Sequence, residues 1–329
     1  MEDIDLSKFP KYEEVVKSVA NLDKTNWPKI ENFQNPTDFL KKVQDIFYNE
    51  FKIIPNVVRL HKPSSFSLKI FRARDLKSIK NIDLFAEHSY PPANVTNFNR
   101  CNFPGNPVFY CSNNPFTALL EVIRNYSYKG KKFCISKWGL INTDEEFVFQ
   151  TFLQSNLHEH NQFNLIKEIE INQIDKPFGG KLDDDRKEGL IEYLKFIHSA
   201  FINDESYALS SCIAHRTLNA NHNLATDILM YPSVQSQFKG VNMAIRPNFV
   251  DNMMKVERFY IIEVINYDVG KGKFKVKFSK YGVVNKNVIF WKKFDPDNDA
   301  VCKNFFSNDF KSYISDDISW QLTENNKNE

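Results

Sequence analysis

Val108-Phe109-Tyr110-Cys111-Ser112-Asn113-Asn114-Pro115-Phe116-Thr117-Ala118-Leu119-Leu120-Glu121-Val122-Ile123 joins two kinds of secondary structure. Val108 to Cys111 is a short apolar and aromatic run that reads as a strand. Asn114 can cap a helix, and Pro115 suits its first position. The helix then continues through Ala118-Leu119-Leu120-Glu121-Val122-Ile123. This strand–turn–helix unit sets Tyr110 and Glu121 on adjoining elements.

Upstream, Ser67-Leu68-Lys69-Ile70-Phe71-Arg72-Ala73-Arg74 alternates as a strand does. Tyr90 to Pro107 is loop, interrupted by Pro91, Pro92, Pro104 and Gly105. Residues 1–60 read as helical. Asn35 caps a helix with Pro36 in its first turn, and Phe39, Leu40, Val43, Ile46, Phe47 and Phe51 share a face. Downstream, residues 140–220 read as mostly helical, with Leu190, Leu194, Ile197 and Phe201 in one stripe and Pro177-Phe178-Gly179-Gly180 as a dividing loop. Past residue 227 the chain turns to β. Ile228-Leu229-Met230-Tyr231 is a buried strand stopped by Pro232, and Val241-Asn242-Met243-Ala244-Ile245 is a second. Residues 259–266 and 273–278 form a hairpin around Gly270-Lys271-Gly272, and the polar tail from Thr323 frays. The expected class is α+β: a helical N-terminal extension (1–60), then one domain (61–329) with a helical insertion at about 140–205.

Composition limits the function classes. The 43 basic and 41 acidic side chains among 329 residues nearly cancel, which gives no electrostatic case for a nucleic-acid or membrane partner. The acidic start Met1-Glu2-Asp3 lacks a signal-peptide core, and no apolar run nears the ~18 residues of a membrane span. Five scattered cysteines without CxxC spacing fit reduced thiols in a cytoplasm. Thirty Phe residues are read as core filling rather than an aromatic recognition surface.

Several blocks carry a family pattern in order: Phe71-Arg72-Ala73-Arg74, Tyr90-Pro91-Pro92, Asn99-Arg100-Cys101-Asn102, Pro107-Val108-Phe109-Tyr110, Thr117-Ala118-Leu119-Leu120-Glu121-Val122, then Tyr231-Pro232-Ser233-Val234 and Gly240-Val241-Asn242-Met243-Ala244-Ile245-Arg246-Pro247. Together they resemble the RES family, named for its Arg, Glu and Ser. The resemblance implies an ADP-ribosyltransferase-like mixed β core with surrounding helices. It also implies NAD⁺ as substrate rather than cofactor, and cleavage at the nicotinamide–ribose bond as a glycohydrolase. Phosphorolysis and protein ADP-ribosylation would use the same site, and a catalytically silent binding module is the rival of another class. RES proteins are often toxins of toxin–antitoxin pairs, so an antitoxin or regulatory protein is an expected partner, and a homo-oligomer is compatible. Two features depart from the compact toxins: Phe98-Asn99 stands where the family has two Gly, and this chain is longer.

Carried over, the family Arg falls on Arg72, a second Arg on Arg100, the Glu on Glu121, the Ser on Ser233 and a pocket aromatic on Tyr110. The residue types suit the chemistry. A diphosphate calls for planar, permanently charged donors, which Arg72 and Arg100 supply. An oxocarbenium-like ribose carbon calls for a fixed carboxylate, Glu121. Nicotinamide is a flat cation that Tyr110 can stack on, although Tyr110 could equally fill the core. Ser233 lacks a nucleophile elbow, so it holds a ribose hydroxyl or orients Glu121. Asn242 is either a substrate contact or a brace for the Ser233 turn. Arg74 is read as a structural ion-pair partner.

Other signals carry less. His158-Glu159-His160 has no third metal ligand at a defined spacing, and no metal site is expected. Asp295-Pro296-Asp297-Asn298-Asp299 starts like a calcium loop but has Ala300 and Phe306 at the turn and closing positions. Asp183-Asp184-Asp185 reads as a solvated helix start, and Lys273, Lys275 and Lys277 as a solvent-facing strand face.

Overall fold

The computed structural model describes residues 6–52, 58–65, 68–123, 128–141, 144–153, 157–159, 161, 163–220, 225–268, 273–314 and 318–322. Eight α-helices and eleven strands are found among them. The helices are α1 (Tyr12–Asp23), α2 (Pro36–Glu50), α3 (Pro115–Val122), α4 (Asn164–Asn172), α5 (Asp184–Asn203), α6 (Ala208–Leu218), α7 (Pro247–Met253) and α8 (Ala300–Asp309). The strands are β1 (Arg59–His61), β2 (Ile70–Asp75), β3 (Phe109–Ser112), β4 (Lys132–Leu140), β5 (Phe147–Thr151), β6 (Ile228–Pro232), β7 (Val241–Ile245), β8 (Met254–Asp268), β9 (Lys273–Asn285), β10 (Val288–Lys293) and β11 (Ile318–Leu322).

All eleven strands join one mixed sheet in the order β1-β5-β6-β7-β3-β2-β4-β8-β9-β10, with β11 also pairing β9. The α+β class holds. Helices α1, α2, α5 and α6 pack on the β6 side through Val15, Leu22, Phe47, Leu190, Leu194, Phe201 and Leu229. Helices α3 and α8 cover β2, β4, β8 and β9 through Leu119, Phe71, Tyr260, Phe278 and Phe306. Phe fills these cores; Phe290 on β10 is an exposed exception, 55% accessible.

The capping signals appear where the sequence puts them. Asn35 accepts from Thr37 N, Asn114 from Phe116 N and Thr117 N, and Asp183 from Arg186 N. Asp299 is a helix cap as well, accepting from Val301 N and Cys302 N on α8. β7 has the expected bounds, β3 lies one residue later than expected, and the hairpin strands β8 and β9 are longer.

Other expectations are corrected. Residues 140–220 are not all helical: Phe147–Thr151 is the strand β5, buried at every position and paired to both β1 and β6. The 1–60 segment is not purely helical either, since Arg59–His61 adds the edge strand β1. α1 also seats directly on α5. A Cβ at Gly189 would lie 2.7 Å from the Pro10 carbonyl oxygen, so only glycine allows that approach. The start Met1–Asp5, Ser67, His160, the Gly270-Lys271-Gly272 turn and the tail from Thr323 lie outside the described residues. Among the described residues, no helix is long and apolar enough to cross a membrane, and no group of three His, Cys, Asp or Glu could hold a metal ion.

Candidate functional site

Four neighbouring strands, β6-β7-β3-β2, carry the site. β3 and β7 pair along their length, with Tyr110 opposite Ala244 and Ser112 opposite Asn242. β6 brings Tyr231 opposite Asn242. On the other side of β3, pairing with β2 consists of Phe71 opposite Ser112. Continuing that register would set Ala73 against Tyr110 and Arg72 against Cys111, but the strands separate. A ladder that stops leaves polar backbone groups to be satisfied otherwise. The Tyr110 carbonyl accepts instead from Arg72 Nη1 at 2.7 Å.

A cavity of about 400 Å³ opens in this fork, lined by Arg72, Ala73, Asn99, Arg100, Tyr110, Cys111, Ala118, Glu121, Val122, Tyr231 and Asn242. Its volume falls in the range of small-molecule sites, roughly 300–1,000 Å³. Of the six expected site residues, Arg72, Arg100, Tyr110, Glu121 and Asn242 line it directly. Ser233, fully buried, lies behind Glu121 and not on the cavity wall.

Glu121 occupies the last turn of α3, where the negative end of the helix dipole disfavours a carboxylate. Two donors hold it there: Ser233 Oγ and Asn242 Nδ2 each reach Oε1 at 2.8 Å. Of the two contacts open to Ser233, the hydrogen bond to the Glu121 carboxylate is the one present. Asn242 lines the cavity, and its amide donates to Glu121 rather than bracing the Ser233 turn. That turn is braced by its own loop: Ser236 N donates to Ser233 Oγ at 3.3 Å, and Phe238 N to the Ser233 carbonyl at 3.0 Å. Gln237 and Phe238 have φ of 53° and 62°, a left-handed pair that only such a bonded loop sustains. Gly240 lets the loop meet α3, since any Cβ there would collide with the Thr117 side chain.

Arg72 is partly buried. Its guanidinium lies 5.0 Å over the Phe109 ring, and its Nε, buried, has no hydrogen-bond partner among the described residues. Burial first, then neighbouring Arg74, lowers its pKa to about 10, so it stays charged at neutral pH. Arg100 Nη1 donates to the Phe201 carbonyl. The Tyr110 hydroxyl donates to Asn102 Oδ1 at 2.6 Å and accepts from Cys101 N at 2.8 Å, so its tip braces the Arg100 loop while the side chain lines the cavity. Desolvation raises the Tyr110 and Tyr231 pKa values well above the ordinary phenol value and pushes the Cys101 thiol to about 12. All three are neutral at physiological pH. Arg74 donates to the Glu87 carbonyl and to that of Ser78 at 3.2 Å, and the nearby Glu87 carboxylate favours its charged form.

Tyr231 is a cavity residue not singled out from the sequence. Its signal was a tyrosine at the end of an otherwise aliphatic buried strand, where the hydroxyl must find a partner. No protein-family model matches the chain, and no curated protein matches it with significant similarity.

Proposed function

We propose that the chain is a RES-type enzyme with an ADP-ribosyltransferase-like fold that hydrolyses NAD⁺ to nicotinamide and ADP-ribose. One observation carries this reading: residues from well-separated blocks, 72, 100, 110, 121 and 242, line one cavity in which two amide or hydroxyl donors fix a carboxylate. The buried Arg72 Nε, which has no hydrogen-bond partner among the described residues, supports an anion as the ligand, because an orphaned charged donor is costly. Arg72 and Arg100 bind the diphosphate, and Tyr110 and Tyr231 wall the nicotinamide end. As the ribose–nitrogen bond breaks, its electron pair leaves with nicotinamide, which becomes neutral. Glu121 stabilises the positive charge left on the ribose carbon. Water adds to that carbon, and its proton passes to solvent.

The test is incubation of the protein with NAD⁺, with and without phosphate, followed by mass spectrometry. Hydrolysis yields nicotinamide and ADP-ribose in equal amounts. A phosphorylated ADP-ribose appearing with phosphate shifts the reading to phosphorolysis, and NAD⁺ left intact sinks it. Glu121→Gln keeps an Oε1 acceptor for Ser233 and Asn242 but deletes the charge. Turnover should fall by roughly 10²-fold or more with NAD⁺ affinity nearly constant. The melting temperature should hold or rise, since the helix C-terminus loses an opposing charge. A purely structural Glu121 would give the reverse: lower stability with turnover kept.

A further inference from the structure

The corner between α5 and α6 holds a tyrosine in an unfavourable conformation. Tyr207 has φ 57° and ψ 15°, the left-handed region that Gly and Asn enter readily and a bulky side chain does not. Asp204 enforces it. Its Oδ2 accepts from Leu209 N at 3.0 Å and from Ser210 N and Oγ at 3.1 Å each. Its Oδ1 accepts from Ser206 Oγ at 2.7 Å, and that hydroxyl accepts from Ala208 N at 3.2 Å. None of these bonds uses the Tyr207 side chain, so any residue at 207 would be held the same way and asparagine would be held with less strain.

The tyrosine ring does something asparagine could not. The Arg100 guanidinium lies over it, 4.9 Å from the centroid. The same guanidinium donates to the carbonyl of Phe201, in the last turn of α5, where carbonyls lack helical partners and the dipole favours a cation. Arg100 is therefore clamped between a helix end and a ring, supplied by α5 and the corner that joins it to α6, while it also lines the cavity. Cation–π geometry fixes the plane of a guanidinium as well as its position, and plane decides whether two parallel bonds to a phosphate can form.

We propose that Tyr207 is a positioning residue for this cavity, holding Arg100 in the orientation that binds the nucleotide diphosphate. The inference rests on the reading of Arg100 as a diphosphate ligand. It makes the strained corner a specificity element of the site and ties substrate affinity to the α5–α6 block.

The experiment is calorimetric binding of NAD⁺, with thermal melts, on the parent and on Tyr207→Asn, Tyr207→Phe, Arg100→Ala and the Arg100→Ala/Tyr207→Asn double variant. Tyr207→Asn should weaken NAD⁺ by roughly 3–10-fold, the scale of one partly buried cation–π contact, with a melting temperature equal to or above the parent's because strain is relieved. Tyr207→Phe should stay within about 2-fold, since the ring remains. In the Arg100→Ala background the asparagine change should cost nothing further, because the residue it acts through is gone. Additive losses in the double variant, or full affinity in Tyr207→Asn while Arg100→Ala binds weakly, overturn the positioning role alone. Parental affinity in Arg100→Ala overturns the diphosphate reading, and the inference with it. If Tyr207→Asn lowers the melting temperature, the additivity of the cycle still decides.

Discussion

Ser233 and Asn242 both converge on Glu121 Oε1, yet they differ in what else they hold. Ser233 Oγ also accepts from Ser236 N, so the hydroxyl links the carboxylate to a loop containing two left-handed residues. Removing one charge-assisted hydrogen bond costs about 1.5–3 kcal/mol. Ser233→Ala should therefore lower kcat roughly 10-fold or more while KM changes little, since Ser233 lies outside the cavity wall. A Ser233→Ala protein with normal kcat and raised KM would instead mean that the hydroxyl reaches substrate. Either defect should be smaller than that of Glu121→Gln, because Asn242 still holds Oε1.

The outer element of the sheet carries a different charge relation. Strand β1 pairs β5, and α4 lies over them with Glu170 near Arg59, 3.6 Å from carboxylate oxygen to Nε, and bonded by the Thr151 hydroxyl. Burial outweighs both partners and pushes the Glu170 pKa from about 4.5 to about 7. A folded pKa above the unfolded one means that the native state binds the extra proton. That contribution is complete below about pH 4.5 and is lost as pH rises through about 7. Glu170→Gln imitates the protonated form. Chemical denaturation across pH 4.5–8 should show the parent losing ~1–3 kcal/mol that the variant keeps. Parallel pH profiles for the two proteins would show that Glu170 stays ionised against Arg59 throughout.

At the scale of the molecule, the N-terminal helices are a wall of the core and not an appendage. Phe9, Val15, Leu22, Phe47 and Phe51 are buried in the same cluster as Leu190, Phe201 and Leu229. Loss of a large buried side chain costs about 2–5 kcal/mol, and five together, about 10–25 kcal/mol, match or exceed the ~5–15 kcal/mol by which a domain is stable. Deleting residues 1–51 should give an aggregating or non-cooperatively melting protein, checked by calorimetry and size-exclusion chromatography. A soluble truncated chain with a sharp transition would make the extension separable after all.

The sequence by itself determined what depends on near neighbours. Asn114 and Pro115 start α3 because the cap bonds amides two and three residues away. Asn35 and Asp183 do the same for α2 and α5, and the pattern Leu190, Leu194, Ile197, Phe201 buries one face of a helix without reference to its partner. The site residues were legible only through the family resemblance, whose separate blocks contain Arg72, Arg100, Tyr110, Glu121 and Asn242, all on one cavity wall. β5 was not legible, and β4 was missed too. Phe147–Thr151 is buried throughout, so it lacks the alternation that marks a half-buried strand. Only tertiary structure decided which strands lie side by side, where β2 and β3 part, and that a carbonyl and a ring from residues 201 and 207 would clamp Arg100. The physical reason is one of range. Caps and amphipathic faces are settled within a few residues, whereas the cavity exists because segments up to 170 positions apart satisfy one another's backbone groups, charges and apolar surface, from Arg72 to Asn242.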